Sequence, residues 1–292
     1  MGSTPKGRAT GPGVLLTQLL AVHATSEMWV WAAYGKFGTQ VGIWADLLGL
    51  WPPLDPRPGY VVALALSAVA ALAFVPGRAR IAAGLQTALM CAIAVYFFPN
   101  VPNHFIAFTM GLGLCAFCDP ERETDLLLLG LRSVAALIFF GAGIQKILHG
   151  TYFHGAIFGF MVAEGPNFRE TLKYLLPADE MARLQAARGR GPFFLSSWLG
   201  IFAANLSWIL EILLPAGLLI RATRVGAAIA AVLFVVVIQL SAREVFFAGF
   251  MVPLLLLWVS PAAAVRSLPV VYFVDAYLVL AGFGLFPYFA AI

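Results

Sequence analysis

Lys146 stands near the end of a long apolar run, Leu126 to Ile147, LLLLGLRSVAALIFFGAGIQKI, and is the first candidate for chemistry in this chain. An ammonium beside hydrocarbon must reach water, find a counter-charge or give up its proton. A desolvated lysine that gives up its proton is a general base able to work near neutral pH. The alternative is a side chain that snorkels to the membrane interface, because the run ends one residue later. The upstream FGAG provides small residues for close helix packing, which would restrain snorkelling. Gly150 is placed to end the helix.

Other polar residues interrupt apolar runs. His104, in NVPNHFIAFTMGLGLCAF, could orient or deprotonate a substrate, or bond to a carbonyl or lipid headgroup at a helix end. Glu211 sits deeper, in WLGIFAANLSWILEILLPAGLLI, and Pro215 four residues later denies its carbonyl the usual helical donor. A buried Glu211 needs a cation, either Lys146 or Arg132, unless it serves a proton relay; Asn205 would extend the same polar path. Arg132 precedes Lys146 by fourteen residues, about 21 Å along a straight helix, and reads as structural. Gln239, Ser241, Arg243 and Glu244 form a polar turn that could close the site or be a plain hairpin. His23 and Glu27 share a helical face at i, i+4; the HxxxE pattern is compatible with metal, but one pair is a weak signal and no metal is expected. Asp275 is expected to pair with another helix.

These residues need elements to hold them. Of the 292 residues, 61% are hydrophobic and 11% charged, against about 25% charged in soluble domains. The chain reads as an all-α, polytopic transmembrane bundle with about 8–9 membrane segments. Apolar stretches fall at 14–34, 59–76, 81–98, 104–118, 125–148, 198–220, 224–241, 245–260 and 268–290. The stretches at 104–118 and 245–260 are short for a full crossing. Residues 1–13 are expected to form a polar, disordered cytoplasmic leader, and 14–292 a single helical domain. The segment from Gly35 to Pro58, with Trp44 and Trp51, suits the headgroup region. The connection 149–197 is expected outside the membrane, with a short helix in YFHGAIFGFM and a second in PADEMARLQAARGRG, together a possible lid. Cys91, Cys115 and Cys118 read as packing thiols, although CAFC could be a redox pair. The net charge of +4 is scattered and does not suggest nucleic acid. Lys and Arg in short loops favour a cytoplasmic N-terminus and an outer C-terminus, with Lys146 and His104 at one depth on the outer side. An integral protein of a bacterial inner membrane is the expectation.

Four patterns in order resemble one family. NHFIAFTMGLGLCAF, FFGAGIQKILHGTYFHGAIF, WILEILLPAGLLI and FVVVIQLSAREVFFAGFMVPLLLLWVSP resemble the membrane region of vitamin K-dependent gamma-carboxylases and the horizontally transferred transmembrane domain proteins, over roughly residues 95–262. In the carboxylases the lysine of this motif deprotonates vitamin K hydroquinone, and the histidine assists the quinone chemistry. The resemblance therefore implies Lys146 as base and His104 as its partner. It also implies a quinone or hydroquinone ligand near Asn103, Gln145, Glu211 and Gln239. Family members often carry histidine where Gln239 stands.

Two functions follow as expectations. One is a membrane-embedded enzyme, carboxylase- or epoxidase-like, acting on or with a quinone- or lipid-type ligand. The other is a non-enzymatic membrane subunit that binds a quinone, pigment, peptide or protein partner within a larger complex. The second is favoured by the lack of a separate peptide-binding domain and by 24 phenylalanines suited to packing on lipid or a prosthetic group. A transporter has little support, since no inverted repeat is visible.

Overall fold

The computed structural model describes residues 10–35, 57–98, 103–187, 190–242 and 245–287. The tryptophans at 44 and 51, the leader up to residue 9, and the Arg243–Glu244 turn lie outside them. The described residues fold into twelve helices and no strands. In chain order these are α1 (Pro12–Ala33), α2 (Arg57–Leu72), α3 (Ala79–Phe97), α4 (Asn103–Phe117), α5 (Thr124–His149), α6 (Ala156–Glu164), α7 (Pro166–Leu172), α8 (Ala178–Ala186), α9 (Trp198–Leu219), α10 (Arg224–Ala242), α11 (Val245–Leu256) and α12 (Pro261–Gly282). Every apolar stretch read from the sequence is one of these helices. Local chemistry sets several ends. α1, α7 and α12 begin on a proline in the first turn, where its missing N–H costs nothing. Ser260 accepts from the Ala263 N–H at 3.0 Å to cap α12. Gly150, at φ 68°, stops α5 in the left-handed conformation that favours glycine.

Among the described residues four helices, α3, α5, α9 and α12, are long and apolar enough to cross a membrane. The helices α2, α4, α10 and α11 are apolar over shorter stretches. Exposed apolar stripes recur at a spacing of four residues, as in Val225, Ile229, Leu233 and Val237 on α10. Such a stripe left bare in an aqueous protein would be an aggregation surface; in a membrane protein it is the face that lipid covers.

The chain forms two compact units. Among the described residues, the first holds those of 10–134 together with 249–287, and the second those of 135–248. In the first unit α1 packs on α2, α3, α4 and α12. Its residues are buried on all sides, as expected of a central helix. In the second unit α9 packs against α10, and the helices of the 149–197 connection pack on one another and on α9 and α10.

That connection has its own small core. Val162, Leu172, Leu176, Met181, Leu184 and Leu195 are buried together. Glu180, buried beside them, accepts from the backbone N–H groups of Ser196 and Ser197 and from the Ser196 hydroxyl. Arg169 donates to the carbonyls of Val162 and Ala163, satisfying the C-terminal end of α6. The expected lid is therefore a folded cap, too small for a second domain. Gly159 is its tightest point: a Cβ there would sit 1.8 Å from the Phe193 carbonyl oxygen. Backbone cannot swing away as a side chain can. Gly159→Ala is expected to cost about 1–3 kcal/mol and to loosen the cap first, seen as faster amide exchange across 156–197 than in the wild type. Unchanged exchange there would mean that α6 and the segment carrying Phe193 are not in contact.

Candidate functional site

The second unit brings Lys146 to Glu211. The Lys146 ammonium donates to both carboxylate oxygens of Glu211. Their side chains are 19% and 9% exposed, so the pair is shielded but open on the lysine side. α5 supplies Lys146 in its last turn and α9 supplies Glu211. The two helices meet closely because Gly143, in the FGAG stretch, has no side chain. A Cβ on Gly143 would lie 2.8 Å from Ile212 Cδ1 and 3.2 Å from Glu211 Cβ. Of the two cations considered for Glu211, Lys146 is the partner. Arg132 instead donates through Nε to the Leu257 carbonyl at 2.9 Å, within the first unit.

The turn after α5 completes this surrounding. The Lys146 ammonium lies 5.2 Å from the centre of the Tyr152 ring, within reach of a cation–π attraction. Burial pushes the Tyr152 phenol up, and the Glu211 carboxylate adds to the shift. Asn205 on α9 donates to the Tyr152 and Phe153 carbonyls at 3.4 and 3.2 Å, and accepts from the Trp208 indole at 3.0 Å. Trp208 also meets Phe153 edge to face, at 5.8 Å. Asn205 thus extends the polar path as the sequence suggested, by tying the turn that carries Tyr152 to the helix that carries Glu211.

The other expected site residues stand as follows. Gln145 is exposed on α5 beside Lys146. Gln239, on α10 in the second unit, is buried, and among the described residues its side-chain oxygen accepts no hydrogen bond. Asn103 opens α4, and its side chain lies outside the described residues. His104 belongs to the first unit and Lys146 to the second, and each is held by its own carboxylate.

In the first unit two carboxylate–imidazole pairs lie on successive turns of α1. His23 Nδ1 sits 2.7 and 2.9 Å from the two Asp275 oxygens, tying α1 to α12. Glu27 Oε1 sits 2.7 Å from His104 Nε2, tying α1 to α4. Phe108 packs against both imidazoles, at 4.9 and 5.7 Å between ring centres. So the HxxxE pair does not converge on one ligand; its members go to different helices. No group of three or more histidine, cysteine or acidic side chains able to hold a metal occurs among the described residues. Glu27 is 1% exposed, and its second oxygen accepts no hydrogen bond among the described residues.

Gln86 is a polar residue that sequence reasoning missed. Fully buried on α3, it donates to the Ala21 carbonyl at 3.0 Å and to the Thr25 hydroxyl at 3.1 Å, fastening α3 to α1. The signal was present as a lone amide inside ARIAAGLQTALMCAIAVYF. The three cysteines are free, with Cys115 and Cys118 buried and Cys91 exposed.

No protein-family model, curated protein or solved structure matches this chain. Its functional reading rests on the two sets of polar groups and on the local resemblance of its motifs.

Proposed function

We propose that this chain is a membrane-embedded, vitamin K carboxylase-like protein of about 8–9 membrane segments. It acts on or with a quinone- or other lipid-type ligand, with Lys146 as general base and His104 as a second proton-handling group. The observation that carries this reading is the shielded Lys146–Glu211 pair under the Tyr152 turn. An ammonium whose counter-ion is one carboxylate can hand its proton to that carboxylate and take one from a ligand hydroxyl, with no net charge created in a dry site. Glu211 then holds the transferred proton, Tyr152 lines the site with a flat ring, and Gln145 and Gln239 offer amides. A bacterial inner membrane, with the N-terminus inside and the C-terminus outside, is the setting.

The test is oxygen uptake by the purified protein in nanodiscs supplied with a reduced naphthoquinone. The wild type should consume oxygen above the rate of empty discs, and Lys146→Ala should not. Lys146→Arg should fail as well, because arginine keeps its proton at every relevant pH. A Lys146→Arg protein as active as the wild type would end the base role.

The second reading is a binding subunit for a quinone, pigment or protein partner. Its support is the same ion pair taken as closed: an ammonium that already has its carboxylate is a good clamp. This reading expects the reduced naphthoquinone to bind without turnover in every variant.

A further inference from the structure

The outer surface of the cap carries large aromatic side chains that its own core does not use. Tyr174 is 78% exposed, Trp198 75% and Phe194 56%. Their neighbours place them together. The Ser197 hydroxyl donates to the Leu175 carbonyl at 3.3 Å, and the missing Cβ of Gly200 would touch Leu176 at 2.5 Å and Leu195 at 2.8 Å. The turn after α7, the extended segment before α9 and the first turn of α9 are therefore packed against one another, and each presents one aromatic ring outward.

That patch continues an existing surface. Trp198 heads a stripe of exposed apolar residues along α9, Phe202 and Leu206 following at intervals of four. α9 is one of the helices long and apolar enough to cross a membrane, so this stripe is a face that lipid covers. Tryptophan and tyrosine concentrate at the level of the headgroups, where a ring can lie in the apolar zone while its N–H or O–H stays wet. Lys173 supports the same placement. Its ammonium pairs with Glu170 at 2.5 Å and stands 5.3 Å from the Tyr174 ring, a long stem held beside an aromatic with its charge outward.

We propose that the cap is seated on the bilayer, with Tyr174, Phe194 and Trp198 inserted in the headgroup layer of the leaflet that α9 enters. Its partner is phospholipid rather than water or another protein. The inference depends on the chain being a membrane protein and not on any activity of Lys146, so it can fail while the proposed function stands, and the reverse.

The experiment is depth measurement by spin labels in phosphatidylcholine nanodiscs. Single cysteines replace Tyr174, Phe194 or Phe202 in a protein whose Cys91, Cys115 and Cys118 are serine or alanine, with Asp179→Cys as a control on the exposed side of α8. Labels at 174 and 194 should collide with dissolved oxygen in preference to a water-soluble nickel complex, as should the label at 202, while the label at 179 should show the opposite preference. Labels at 174 and 194 that behave like the one at 179 would place the cap in water. Protection of both from either reagent would place a protein there, a second copy included, and would equally overturn the proposal. If the cysteine variants do not assemble, the unaltered protein decides the matter. A photoactivated phospholipid probe should leave adducts on the peptides containing Tyr174 and Phe194, and their absence, with adducts on α9 present, rejects it.

Discussion

Lys146→Ala is expected to destabilise the second unit by about 3 kcal/mol, the lower end of the cost of stripping one partner from a buried ion pair. The loss comes from Glu211. Its carboxylate is 9% exposed and takes both of its close contacts from the lysine ammonium, so removal of that group leaves a charge that neither water nor a neighbour can solvate well. An exposed pair would contribute less than about 1 kcal/mol, so the size of the loss reports how dry the site is. Lys146→Ala combined with Glu211→Leu should recover most of the stability, because the isolated charge is then gone. Lys146→Arg should retain a charge pair and lose little, provided the guanidinium finds room beside Tyr152. Unfolding in mixed micelles with increasing denaturing detergent measures all three. A Lys146→Ala protein as stable as the wild type would show that Glu211 reaches water on its own, and the clamp reading would fall with it. The stability series and the oxygen-uptake series answer different questions. An arginine that rescues the fold but not the turnover is the signature of a base.

The helices were legible in the sequence and the pairings were not. Hydropathy is a local property, and the apolar runs became helices, most of them within a few residues of their expected ends; the last, expected at 268–290, instead runs from Pro261 to Gly282. Two of the three helices of the cap, α6 and α8, were legible for the same reason, as were Gly150 as a stop and the packing role of FGAG; the short α7 between them was not. Partner choice depends instead on how helices distant in sequence are set beside one another. His23 finds Asp275 across 252 residues, and Glu27 finds His104 across 77. Nothing in the i, i+4 spacing of His23 and Glu27 says that one turns to α12 and the other to α4. For Glu211 the sequence narrowed the choice to Lys146 or Arg132, and depth along α5 separates them. Gln86 escaped notice because an uncharged amide hardly lowers the hydropathy of its run. Its contribution appears only once the Ala21 carbonyl and Thr25 are placed opposite it. The division into two compact units was likewise invisible, since α5 and α11 run through the boundary without a break in composition.

The two carboxylates of the first unit should respond very differently to removal. Asp275 places both of its oxygens on one imidazole nitrogen, and both residues are almost wholly buried. Asp275→Ala leaves His23 with a ring nitrogen sealed from water, between Phe108 on one side and the bare backbone of Gly249 on the other. A loss of about 3 kcal/mol is expected, that of a broken buried pair, with α12 separating from α1 before the rest. Glu27 is buried as deeply but uses only one of its oxygens. The other is a sealed acceptor with no donor among the described residues, which burdens the folded state by about 1–3 kcal/mol. Its partner His104 is 20% exposed and can exchange the carboxylate for water or a headgroup. Glu27→Ala removes a hydrogen bond and an unmet acceptor together, so its net cost should be under about 1 kcal/mol. The comparison needs only the order of the two midpoints in the same detergent titration. Equal losses would mean that the second Glu27 oxygen is satisfied in the membrane, by a bound ligand or an ordered water, and would turn attention to what donates to it.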